Sequence, residues 1–101
     1  MKWFSTCVLI GAITRTGLWL TPDQQGQRLF DRGEFQVAAE AFEDPIRQGT
    51  AWFRAGEFEK AEQAFARMAT PEAEFNRGTC LIMLGKYEPA VERFDRALQL
   101  R

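Results

Sequence analysis

At 101 residues the chain has room for one domain or one array of repeats, and 46% hydrophobic against 27% charged residues marks it as globular rather than disordered. A formal net charge of −1, with both signs interspersed, lacks the concentrated Lys and Arg that DNA or RNA binding needs. There is no histidine, the commonest general base and metal ligand, and Cys7 and Cys80 fall in no metal or redox spacing.

Residues 1–20 differ in kind from the rest. Lys2 precedes an apolar run from Trp3 to Ile13, Arg15 interrupts it, and Gly17-Leu18-Trp19-Leu20 closes it. A full membrane span needs about 20 apolar residues, more than this run supplies. A signal-peptide core has a similar length, but no A-x-A-like cleavage site is present after it. Three readings stay open: a short membrane anchor with Trp3 and Trp19 near the two interfaces, an uncleaved signal, or a soluble helix packed on the repeats. As an anchor, Lys2 would keep the N-terminus cytoplasmic and send the remainder across the membrane.

From residue 21 onward one constellation recurs three times. Gly26, Gly49 and Gly78 are each followed three residues later by Leu29, Trp52 or Leu81. Seven residues after the first glycine comes a second, Gly33, Gly56 or Gly85, and two later an aromatic, Phe35, Phe58 or Tyr87. Ala38, Ala61 and Ala90 come next, then Phe42, Phe65 and Phe94. Thr21-Pro22, Asp44-Pro45 and Thr70-Pro71 each offer a helix cap followed by proline at the first helical position. Helices are therefore predicted at 22–32, 35–43, 45–55, 58–68, 71–84 and 87–100.

This constellation resembles the tetratricopeptide repeat over residues 21–101. The implied fold is all-α, a right-handed stack of three antiparallel helix hairpins preceded by the apolar N-terminal segment. Each recurring position has a mechanical reason. Gly33, Gly56 and Gly85 end the first helices in a left-handed conformation. Gly26, Gly49 and Gly78 are expected where the paired helices touch, facing Ala38, Ala61 and Ala90. Phe42, Phe65 and Phe94 are expected to fill the seam to the next repeat. The standard repeat is about 34 residues. Here the turn glycines are spaced 56 − 33 = 23 and 85 − 56 = 29 residues apart. Pro45 and Pro71 are expected to cut the early second helices short. Glu74 stands where the repeat family's aromatic usually falls.

The run Leu18–Arg28 and the segment Phe75-Asn76-Arg77-Gly78 are similar to the C-terminal region of bacterial von Willebrand factor A/tetratricopeptide membrane proteins of the Bat, aerotolerance type. There a metal-binding domain and a membrane helix come before the repeats. No Asp-x-Ser-x-Ser motif occurs here. The resemblance implies a bacterial inner-membrane location, with a cytoplasmic one as the alternative.

Helix pairs of this kind stack so that first helices line the inner wall. The repeat register puts Gln27, Phe30 and Asp31, then Ile46, Thr50, Phe53 and Arg54, then Phe75, Asn76, Thr79, Ile82 and Met83 on that wall. Phe30, Phe53, Phe75, Ile82 and Met83 form an apolar stripe of the kind that receives a helix or an extended peptide, unless it packs on the N-terminal segment or a neighbouring helix. The family resemblance implies that Asn76 grips a peptide backbone. Arg54 and Arg77 are candidates to pair with carboxylates. Glu57/Glu59 and Glu72/Glu74 read as solvated first-turn charges rather than catalytic pairs, and no phosphate loop or nucleophile elbow appears. Cys80 reads as a small buried hydrophobe. In the last helix, Val91, Phe94 and Leu98 form a stripe expected to drive self-association or to receive a partner helix. The sequence thus predicts a protein–protein interaction scaffold without catalytic, cofactor or metal residues. The alternative is a truncated remnant of a larger membrane protein.

Overall fold

The computed structural model describes residues 19–101; the apolar run and Cys7 lie outside the described residues. Six α-helices succeed one another: α1 (Pro22–Asp31), α2 (Phe35–Ala41), α3 (Pro45–Arg54), α4 (Phe58–Phe65), α5 (Pro71–Met83) and α6 (Tyr87–Leu100). The described chain is all-helical, with α1/α2, α3/α4 and α5/α6 paired as hairpins. Successive hairpins pack α2 on α3 and α4 on α5, giving a tetratricopeptide-like stack about 48 Å long.

The first helices start as their caps dictate. The Thr21 hydroxyl accepts from the Gln24 amide, and the Gln24 side chain accepts from the Thr21 amide. Asp44 accepts from the Arg47 amide and Thr70 from the Ala73 amide, while Pro22, Pro45 and Pro71 occupy the first helical position. They end at glycines with positive φ: 81° at Gly33, 80° at Gly56 and 76° at Gly85. At Gly56 the following amide, of Glu57, reaches back to the Trp52 carbonyl at 2.9 Å, closing the turn.

The second helices are shorter than the sequence predicts. α2 stops at Ala41 rather than 43, and α4 at Phe65 rather than 68. Pro45 forces extended backbone on Asp44, whose ψ is 121°. The freed carbonyls of Ala39 and Phe42 then accept from the Gln48 side chain. Only α6 runs to full length, at 14 residues.

The glycine expectation needs correcting. A Cβ on Gly26, Gly49 or Gly78 would meet the ring of Phe42, Phe65 or Phe94, the nearest atoms lying 2.5 to 2.6 Å away. The nearest neighbour of each glycine is thus its own hairpin's aromatic rather than the alanine. Ala38, Ala61 and Ala90 are nevertheless fully buried. The core runs through Ala38 and Ala61 with Ala39, Ala51, Trp52, Phe65 and Cys80. No described helix is long and apolar enough to cross a membrane.

Candidate functional site

The first-helix register brings five predicted wall residues into one hollow. Thr50 and Phe53 from α3, and Phe75, Asn76 and Thr79 from α5, line a groove of about 220 Å³. Its sixth lining residue is Phe65 of α4, which the sequence pattern assigns to a seam. The two hydroxyls are turned into their helices: Thr50 donates to the Ile46 carbonyl at 2.8 Å and Thr79 to the Phe75 carbonyl at 3.2 Å. None of the six lining residues carries a charge, so the hollow suits an apolar side chain flanked by neutral backbone.

Phe75 is 57% exposed, and Ile82 and Met83 are exposed further along α5. Together they extend an apolar strip beyond the hollow. Phe30 belongs to a different cluster. Its ring stands edge-on to Phe35 at 5.0 Å and Phe42 at 6.5 Å. The exposed Arg54 guanidinium lies 4.5 Å from the Phe35 centroid and 5.5 Å from that of Phe30, joining the first two hairpins. Gln27 donates to Asp31 at 2.8 Å on the exposed side of α1. Ile46 packs partly buried against the core.

Arg77 is held locally. Its Nε donates to Glu62 of α4 at 2.7 Å, and a second nitrogen lies 3.4 Å from Glu74. The reading of Glu74 as a solvated charge is overturned: it is only 5% exposed and also accepts from Arg93 of α6 at 3.2 Å. Its helix faces inward here because α6 crosses above it. No local pattern announces pairs separated by 15 and 19 positions. Asp23 carries no such signal either; it accepts from the Glu43 and Asp44 amides and ties α1 to the α2–α3 turn.

Cys80 is fully buried. Burial, helped by the nearby Glu62 charge, pushes its thiol up to about 11, so it stays protonated and unreactive near neutral pH. Among the described residues no group of acidic or cysteine side chains is placed to hold a metal ion. On α6, Val91 and Leu98 are 55% and 61% exposed, while Phe94 is half-buried with its ring 5.4 Å from that of Phe75.

No known family model matches the chain, and no curated protein matches it either.

Proposed function

We propose that the chain is a tetratricopeptide-type scaffold that binds a partner protein through an uncharged, apolar segment seated between α3 and α5. The observation that carries this reading is the neutral hollow of Thr50, Phe53, Phe65, Phe75, Asn76 and Thr79. Asn76 has a side-chain amide available to donate to and accept from a peptide backbone beside Phe75. Support also comes from the apolar strip of Ile82 and Met83, which would lengthen the contact. The absence of charge in the hollow argues against a carboxylate-terminated ligand, which would need Lys or Arg there.

Selection of a random peptide library on the full chain tests this. Enriched sequences are expected to share a bulky apolar residue and to carry few charges. Asn76→Ala is expected to weaken a selected peptide about tenfold, the usual worth of one or two backbone hydrogen bonds. Thr50→Arg is expected to abolish binding by filling the hollow. Peptides that bind both variants as well as the wild type would remove this reading and leave a structural remnant as the better description.

Residues 1–20 are proposed to hold the scaffold at a membrane, which accords with the resemblance to bacterial membrane proteins of the Bat type. The full chain is then expected to float with vesicles of neutral and anionic phospholipid, and a chain lacking residues 1–18 is expected to stay in the dense fraction. Equal behaviour of the two would dismiss the tether.

A further inference from the structure

The two ends of the stack are chemically unlike each other. Ala51 of α3 and Cys80 of α5 occupy equivalent repeat positions and are both fully buried. The matching position on α1 is Arg28, which is exposed and charged. The α1 end therefore resists burial under another helix, because an unpaired guanidinium would lose its water.

The α6 end is the reverse. Position by position, Ala39 of α2, Glu62 of α4 and Val91 of α6 are equivalent. Ala39 is fully buried, and Glu62 is ion-paired to Arg77 of the next helix at 2.7 Å. Val91 has no next helix among the described residues and is 55% exposed. With Tyr87 at 63% and Leu98 at 61%, and half-buried Phe94, it forms a stripe with steps of four, three and four residues. That is the spacing of a helix-pairing seam. Beside Leu98 opens a cleft of about 420 Å³ between the start of α5 and the end of α6, lined by Pro71, Phe75, Phe94, Ala97, Leu98 and Arg101.

We propose that this face binds the same face of a second copy of the chain, forming a two-fold dimer through antiparallel α6 helices. Three observations single out that occupant. The seam continues the α2–α3 and α4–α5 pattern, in which Ala39 is buried and Glu62 is largely covered by the next helix. Of the two terminal helices, α6 exposes an apolar stripe while α1 carries the exposed Arg28, so a head-to-tail stack, which would set Val91 near Arg28 as Glu62 lies near Cys80 inside the array, is disfavoured. Finally, the face is self-complementary. Val91 and Leu98 lie equally far from the midpoint between Phe94 and Asp95. A two-fold axis there sets Val91 of each copy against Leu98 of the other. The projecting Tyr87 and Val91 in one half of the helix then meet the cleft in the other half.

A helix of 14 residues is about 21 Å long, so the contact is smaller than a standard stable interface. Association is accordingly expected in the micromolar range. Sedimentation of the full chain over a concentration series reads it. The wild type is expected to shift from monomer to dimer and no further. Leu98→Lys and Val91→Lys, both at exposed positions and so tolerable to the monomer, are each expected to weaken association at least about tenfold with unchanged helical content. A wild type that stays monomeric throughout would overturn the proposal. So would polymers beyond the dimer, or association that both lysine variants leave intact, which would place the contact in residues 1–18. Neither substituted side chain lines the groove between α3 and α5, so peptide binding there is expected to survive in both variants.

Discussion

Phe65→Ala is expected to be among the most destabilising single substitutions, costing about 3–5 kcal/mol, and Gly49→Ala is expected to change sign in its presence. Phe65 is 2% exposed and its ring covers the α-carbon of Gly49. Truncation removes a buried ring and leaves a hole. Total stability for a domain of this size is about 5–15 kcal/mol, so the loss is a large fraction of it. In the wild type, a methyl group on Gly49 would lie 2.6, 2.7 and 2.8 Å from three ring carbons. A buried ring has nowhere to go, and overpacking of this kind costs about 1–3 kcal/mol. That exceeds the gain of up to about 1 kcal/mol from replacing a helical glycine. Once Phe65 is Ala, the same methyl fills vacant space and the helix-propensity gain stands alone. Denaturant unfolding of the four chains tests this. A Gly49→Ala effect of the same sign and size in both backgrounds would contradict it. Gly78→Ala is expected to be milder than Gly49→Ala. Phe94, whose ring a Cβ there would approach at 2.5 Å, is only half-buried and can swing toward solvent.

Glu74→Ala is expected to cost about 2–3 kcal/mol. Breaking a buried ion pair from one side costs about 3–5 kcal/mol when the surviving charge is stranded. Here the survivors are only partly buried: the Arg77 and Arg93 side chains are 23% and 29% exposed, and Arg77 keeps Glu62. The loss is therefore scaled down. Arg93→Ala is expected to cost about 1 kcal/mol, because Glu74 retains Arg77. Replacing Glu74 and Arg93 together by leucine should recover much of the single-mutant loss, since no buried charge is then left without its partner. Urea unfolding of the single and double variants measures this. A Glu74→Ala chain within about 0.5 kcal/mol of wild type, the usual scatter of a neutral surface change, would mean that the network contributes nothing.

Much of the architecture was legible because it is encoded over short distances. Thr21, Asp44 and Thr70 cap helices by reaching three residues along the chain. Gly33, Gly56 and Gly85 end them through a local backbone conformation, and Pro45 and Pro71 limit the early second helices. The three-fold recurrence of these signals sufficed for the hairpins. It also sufficed to draw five of the six groove residues from the inner register of the first helices.

Beyond the reach of such signals were features that exist only once helices cross. Phe65 enters the groove from a second helix, with its ring laid over a glycine 16 positions earlier. Glu74 has the local context of any first-turn acid; its burial comes from α6 passing over it and from two arginines, one of them 19 residues away. The exposed Arg28 and the bare Val91 stand at positions equivalent to buried ones. Among the described residues, their place on the first and last helices of the stack leaves one a charged face and the other an uncovered apolar one. Capping, turn and helix-periodic signals act over about three to five residues. Contacts between helices are set by crossing geometry and side-chain volume, which no short window of sequence contains.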